Sequence, residues 1–213
     1  MSDHDLGALV RAAARRMDAA GLHFGHGTDN ALDEACWLAA HVLKLAPDFP
    51  AETFDQPVAA ADRTRFEQLL AARITTRKPL AYLIGEAWFA GLRFRVDASV
   101  LVPRSPLAEL IVEGFEPWLD EARLHRAVDV GTGSGCIAVA LASTRPGLHV
   151  DAVDVSPAAL AVAAANVREH GLSERVHLHP SDLLSGLAGQ RYDLILANPP
   201  YVPEATMDSL PPE

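Results

Sequence analysis

Cysteine is scarce in this sequence. Its two residues, Cys36 and Cys136, lie far apart and neither sits in a CxxC pair. A disulfide between them is possible in principle, but two lone cysteines fit a reduced, cytoplasmic setting better than an oxidising one. Long apolar runs are also missing. The longest, Cys136 to Ala142, falls well short of the roughly 20 residues a spanning helix needs, so no membrane association is expected. Ser2-Asp3-His4-Asp5 is no basic start to an apolar stretch, so the N-terminus does not read as a secretory signal. Positive charge is in deficit, with 18 Lys and Arg against 28 Asp and Glu and a formal net charge of −10. Such a chain is repelled by phosphates, and the charge serves either plain solubility or a basic protein partner. The nine histidines are scattered. His23 and His26 come nearest to a ligand pair, but no acid or thiol of matching spacing accompanies them, so no metal is expected.

What is present is an ordinary globular composition, 49% hydrophobic and 22% charged over 213 residues, enough for one large domain or two small ones. The first part reads as helices. Leu6, Leu9, Val10, Ala13 and Met17 recur at helical spacing, and Gly21 with Gly25-His26-Gly27 ends the run. Asn30 followed by Asp33 predicts a capped second helix with Leu32, Cys36, Ala39 and Leu43 inward, broken by Pro47 and Pro50. A third helix is expected after Asp62. Phe66, Leu69, Leu70 and Ile74 form its apolar stripe, and Arg63, Arg65, Arg73, Arg77 and Lys78 its opposite, solvated face.

The period then changes. Trp88-Phe89, the turn Ala90-Gly91 and the alternation Leu92, Phe94, Val96 predict a hairpin, continued by Val100 to Val102. Ser105 caps a further helix with Pro106 at its first position and Leu107, Leu110 and Ile111 inward. From Ala127 strands and helices alternate. Strands are expected near 127–130, 150–154, 176–178 and 193–197, and helices near 136–143 and 157–170, the latter closed by Gly171. This alternation predicts an α/β fold with a parallel sheet covered on both faces. The boundaries follow: a helical domain over 1–85, a hairpin linker over 86–104 and an α/β domain over 105–213.

Asp129-Val130-Gly131-Thr132-Gly133-Ser134-Gly135 runs from a strand through a glycine loop into a helix. Glycines let the backbone approach a ligand closely, and the helix start offers unpaired N–H groups. The third glycine comes one place too early for the dinucleotide fingerprint, and the loop lacks the Lys-Ser/Thr of a phosphate loop. Asp154, at the end of the second strand, can accept both hydroxyls of a ribose, although a strand-end acid is often only that. Asn198-Pro199-Pro200-Tyr201 follows the fourth strand. An amide nitrogen is a poor nucleophile because its lone pair is delocalised, so a site for it must hold the planar NH₂ and aim it. The Asn198 oxygen and the Pro199 carbonyl supply two acceptors for its two N–H groups, and Tyr201 supplies a flat surface. Taken alone, the motif also reads as a proline turn.

Together these residues resemble the S-adenosylmethionine methyltransferases that modify the side-chain nitrogen of glutamine. Known substrates of that family are peptide release factors and a ribosomal protein. Val100 to Leu110, Phe24 to Asn30, Ala81-Tyr82-Leu83 and Ala87-Trp88-Phe89 are similar to the branch acting on large-subunit ribosomal protein L-three. The resemblance covers nearly the whole chain. It implies a Rossmann-like class I methyltransferase domain, here truncated after its fourth strand, with an N-terminal helical domain that recognises substrate. It also implies that Asp129, Gly131, Thr132, Gly133, Gly135, Asp154, Asp182 and Asn198 hold S-adenosyl-L-methionine. Asn198, Pro199, Pro200 and Tyr201 would hold and orient the substrate, with Asn198, Pro199 and Tyr201 catalytic. The implied partner is ribosomal protein L-three or a ribosome precursor, with no direct DNA binding. The alternatives are a release-factor methyltransferase, a nucleic-acid exocyclic-amine methyltransferase that flips its base, and a non-catalytic ribosome-assembly module. A nicotinamide oxidoreductase is disfavoured by the glycine spacing.

Overall fold

A computed structural model describes residues 5–199, which divide into two compact units, one up to Ile84 and one from Gly85. The first unit is helical: α1 (Leu6–Ala19), α2 (Ala31–Leu43), α3 (Ala60–Thr76) and α4 (Leu80–Ile84), with a 3₁₀ turn at Ala51–Asp55. Asp5 caps α1 by accepting from the Ala8 amide at 2.6 Å, and Asn30 caps α2 by accepting from Asp33 at 2.9 Å. The α1 stripe is buried as expected. On α2 the phase differs by about one position. Ala31, Ala35, Leu38, Ala39 and Val42 face the core, while Leu32 is 49% exposed. Both stripes satisfy helical spacing, but the alanine stripe lets α2 lie close against the large side chains of α1. Truncating the fully buried Met17, Leu38 or Leu70 would each cost about 2–5 kcal/mol.

The expected solvated basic face of α3 holds only in part. Arg73 is buried and pairs with the equally buried Glu34, Nε to Oε1 at 2.6 Å. Its other nitrogens donate to the Arg77 and His23 carbonyls at 3.0 Å each. Arg77 in turn donates to the carbonyls of Ala20 and Gly21. These two guanidiniums satisfy carbonyls of the turn that follows α1, at Ala20, Gly21 and His23, and of Arg77 just past α3.

In the second unit β1 (Glu86–Phe89) and β2 (Leu92–Arg95) form the expected antiparallel hairpin. Ala90 (φ 49°) and Gly91 (φ 74°) make its turn, and positive φ at both central positions matches the right-handed strand twist. Val100 and Val102 are buried but do not extend the strand, because β2 stops at Arg95 and a turn at Asp97–Val100 leads the chain away. The helix α5 (Leu107–Glu113) follows, and the Ser105 hydroxyl accepts from the Leu107 amide at 3.2 Å.

Then come β3 (Arg126–Val130), α6 (Cys136–Thr144), β4 (His149–Asp154), α7 (Pro157–Glu169), β5 (Val176–Pro180) and β6 (Leu194–Ala197). The four strands are parallel in the order β5-β4-β3-β6. α6 is buried from Cys136 to Ala142, so its apolar surface runs all round, as a central helix requires. One sheet face, with Ala127, Val150, Ala152, Val176 and Leu196, packs on α5, α6 and α7. The other face was expected to carry helices too. Among the described residues its apolar cover is Leu187 and Tyr192 against Val128, Val130 and Val153, and Ile195 is 56% exposed. The reason is topological: the crossovers through α6 and α7 return on the same side, and the β5–β6 connection holds only the short turn Ser185–Leu187.

Candidate functional site

Register places the predicted residues along one edge. Val130 is level with both Val153 and Ala197, and Asp154 is level with Pro180. Ser181, Asp154, Gly131 and Asn198 therefore succeed one another across the carboxyl ends of β5, β4, β3 and β6. From first to last is three interstrand spacings, roughly 14 Å, room for an extended nucleoside-bearing ligand. Strand order reverses between β3 and β6, so the glycine loop and Asn198 flank the topological switch point where open α/β sheets bind ligands.

The glycines of the loop do different work. Gly131 (φ 71°) and Gly133 (φ 56°) adopt left-handed backbone, and a Cβ on either would meet nothing within 4 Å. The space above them is open, a cradle over the backbone. A Cβ on Gly135 (φ 79°) would lie 3.1 Å from that of Ala163, so Gly135 lets α6 start against α7.

Beneath the loop, Asp129 is fully buried. Its Oδ2 accepts from the Thr132 hydroxyl at 2.6 Å and the Ala138 amide at 3.2 Å. Its Oδ1 is buried without a hydrogen-bond partner among the described residues. Burial, aided by the nearby Asp154, raises its pKa to about 6 against the two hydrogen bonds that lower it. Cys136 beside it is pushed up to about 12, chiefly by burial, and is an inert thiol. Asp154 is half-buried, with Oδ2 accepting from Gly133 and Oδ1 from Ser156, both at 2.9 Å. Each oxygen keeps a lone pair toward the edge.

Asp182 is exposed, in a turn shaped by Ser181, whose hydroxyl donates to the Leu183 carbonyl and accepts from Gly186. Asn198 is half-buried, and its Nδ2 donates to the Arg104 carbonyl at 3.4 Å. Pro199 is exposed. Pro200 and Tyr201 lie outside the described residues.

Sequence reading missed three features of this edge. Val155 and Leu183, each directly after an acid, are 74% and 67% exposed and offer apolar surface beside Asp154 and Asp182. An apolar residue following a strand-end acid was the available signal. Asn166 was passed over as a helix residue. It is buried, donates to Ser134 and Arg95 and accepts from Arg95, and so ties the hairpin to the glycine loop. Arg104 carried no sequence signal for its main-chain role. Among the described residues no cluster of His, Cys, Asp and Glu is placed to hold a metal ion.

Residues 109–209 match the family described as "Methyltransferase small domain", and residues 8–85 match "PrmC N-terminal domain". The ribosomal protein uL3 glutamine methyltransferase of Bordetella pertussis is 49% identical over 206 residues, 96% of this chain and 69% of that protein. The enzyme of the same name from Xanthomonas campestris pv. campestris is 50% identical over 211 residues, 99% of this chain and 68% of that one. The solved N-terminal domain of human METTL16 in complex with SAH is 23% identical with a TM-score of 0.42, over 78% of this chain and 66% of that chain. On the sequence identities, the chain belongs to the ribosomal protein uL3 glutamine methyltransferase family.

Proposed function

We propose that this protein transfers a methyl group from S-adenosyl-L-methionine to a glutamine side-chain nitrogen of ribosomal protein uL3. The observation that carries the reading is Asn198 at the switch point, level with the glycine loop and held by its own Nδ2. The residues present suit the cofactor. Gly131 and Gly133 leave open space, Asp154 keeps acceptors for a diol, and the buried Oδ1 of Asp129 has no donor among the described residues, which an ammonium group would supply. Thr132 and Gly135 hold the loop's shape from below, and Asp182 with Val155 and Leu183 would seat the base. When bound, the cofactor supplies an electrophilic methyl carbon on a sulfonium.

The chain's own residues supply orientation. Asn198 Oδ1 and the Pro199 carbonyl accept the two N–H groups of the glutamine amide, which points the nitrogen lone pair out of the amide plane for in-line attack. Pro200 and Tyr201 complete the slot by the same motif logic. No strong base is required, because the proton leaves after transfer from a nitrogen that has become acidic. The helical unit up to Ile84 is the substrate-recognition element in this reading, and its PrmC N-terminal match supports that.

The test is methyl transfer from labelled S-adenosyl-L-methionine, with purified uL3, a release factor and a DNA duplex as separate acceptors. It uses the 213-residue chain and a chain continued to the gene's stop codon. Label on glutamine of uL3 alone is expected. Label on the release factor or the duplex instead, or on no acceptor from either chain, overturns the substrate assignment.

A further inference from the structure

We propose that the main-chain carbonyl of Arg104 is the positioning group for Asn198, fixing which end of its carboxamide faces the acceptor amide. The inference rests on the amide-methylation reading and adds a residue to it. Asn198 Nδ2 lies 3.4 Å from Arg104 O. A carbonyl oxygen only accepts, so the corner of the carboxamide that faces it must be the NH₂. The opposite corner is then Oδ1, the atom needed to accept from a substrate N–H. Flipped, Asn198 would present a donor to a donor. The bond is long, as hydrogen bonds at unliganded catalytic sites commonly are before they tighten on substrate.

The carbonyl can act as a reference point because its segment is held on both sides. Val102 and Pro103 are buried upstream, and Pro103 and Pro106 fix their own φ angles. Downstream, the Ser105 hydroxyl and carbonyl accept from Leu107 and Ala108, which starts α5. α5 is itself pinned by the fully buried Ile111, whose carbonyl accepts from Arg145 at 2.9 Å. The link from hairpin to helix thus sets the orientation of a side chain on β6's far end, and any substitution that moves this link changes catalysis without touching a ligand.

Two variants test this. The first replaces Ser105 by its α-hydroxy counterpart, so that the Arg104 carbonyl becomes an ester carbonyl, a weaker acceptor, with every side chain kept. One Asn198 side-chain amide proton should shift upfield and exchange faster in ¹H–¹⁵N spectra. kcat should fall about tenfold, the size of one net hydrogen bond, with KM for the methyl donor unchanged. The second is Asn198→Asp. A carboxylate oxygen would oppose the Arg104 carbonyl, whereas a protonated carboxyl would donate to it, so activity relative to wild type should rise as pH falls from 8 to 5.5. Unmoved Asn198 resonances in the ester variant, or a pH-independent ratio for Asn198→Asp, overturn the proposal. The spectra need no substrate, so they decide the bond even if wild type labels no acceptor, an outcome that would instead sink the amide-methylation reading.

Discussion

Each of the two units buries a carboxylate, and the two are treated in opposite ways. Glu34 in the helical unit meets the guanidinium of Arg73 at 2.6 Å, with side chains 3% and 1% exposed. Asp129 in the α/β unit meets no cation, accepts from one hydroxyl and one amide, and is raised to about 6 with one oxygen unpartnered among the described residues. A buried charge that is fully paired reads as structure. One left short of partners beneath the edge proposed to hold the cofactor fits function, because a fold that needed only stability would have satisfied it.

The largest effect should come from breaking the paired carboxylate. Arg73→Ala strands Glu34 in the core and frees the carbonyls of His23 and Arg77, and should cost about 3–5 kcal/mol. Urea unfolding followed in the helical unit measures it. The double variant Glu34→Met with Arg73→Met should recover only the part due to the stranded carboxylate, since apolar side chains replace the pair but the carbonyls of His23 and Arg77 still lose the guanidinium. A single variant as stable as wild type would show that Glu34 does not depend on the Arg73 guanidinium.

Next is Asn198→Ala, which belongs to neither class because the side chain is only half-buried. It should leave unfolding within a few tenths of a kcal/mol and lower kcat about 100-fold, the scale of misplacing a reacting group. Steady-state kinetics at saturating donor separate the two. A loss confined to KM would make Asn198 a binding residue only.

The unpaired carboxylate should show the reverse sign. In Asp129→Asn the amide oxygen still accepts from Thr132 and Ala138, and no charge is buried. The folded pKa of Asp129 lies above its unfolded value, so the folded state binds the proton more tightly. Its penalty is absent below about pH 4, grows through the interval up to about 6, and is complete above that. Asp129→Asn should therefore be more stable than wild type by roughly 1–3 kcal/mol at pH 8 and equal to it at pH 4, while binding S-adenosyl-L-methionine more weakly. Thermal melts at the two pH values, with calorimetric titration of the donor, check both halves. Unchanged donor affinity would make Asp129 a structural acid like Glu34.

The sequence spoke clearly wherever one residue's chemistry sufficed. Asn30, Ala90-Gly91, the glycine loop and the strand-end acids each impose a local conformation or stand where any strand must end. It spoke poorly wherever a choice depended on a partner far along the chain. Leu32 and Ala31 both satisfy a helical stripe, and only packing on α1 selects Ala31. Arg73 stands in one arginine-rich stretch with the half-buried Arg63 and Arg77 and the exposed Arg65, and only Glu34, on another helix, draws it fully inward. Gly135 looks like its two neighbours in the motif, yet it serves helix packing against Ala163. Arg104 contributes a carbonyl, which no residue type announces.

A third carboxylate lies between the extremes, and it supplies the smallest effect. Asp151 on β4 is nearly buried and accepts from Tyr192 at 2.7 Å, His179 at 2.8 Å and Arg126 at 3.0 Å. Burial pushes its pKa up, but the bonds from Tyr192, His179 and Arg126 outweigh it and hold the group below the usual carboxylate range. Its stabilisation is therefore present above the ordinary carboxylate pKa and is lost as pH falls through the lower folded value. Because three donors share one acceptor, removing one leaves it satisfied. Tyr192→Phe should cost only about 1 kcal/mol, a single net hydrogen bond, against several for Arg73→Ala. The cost should shrink further in acid, where Asp151 protonates and the phenol's bond weakens. Urea midpoints at pH 7 and through an acid series below the ordinary carboxylate pKa measure both. A loss at pH 7 as large as that of Arg73→Ala would mean that Tyr192, which with Leu187 covers Val128 and Val153, holds this sheet face by packing through a ring that the Phe variant cannot keep in place without its hydroxyl.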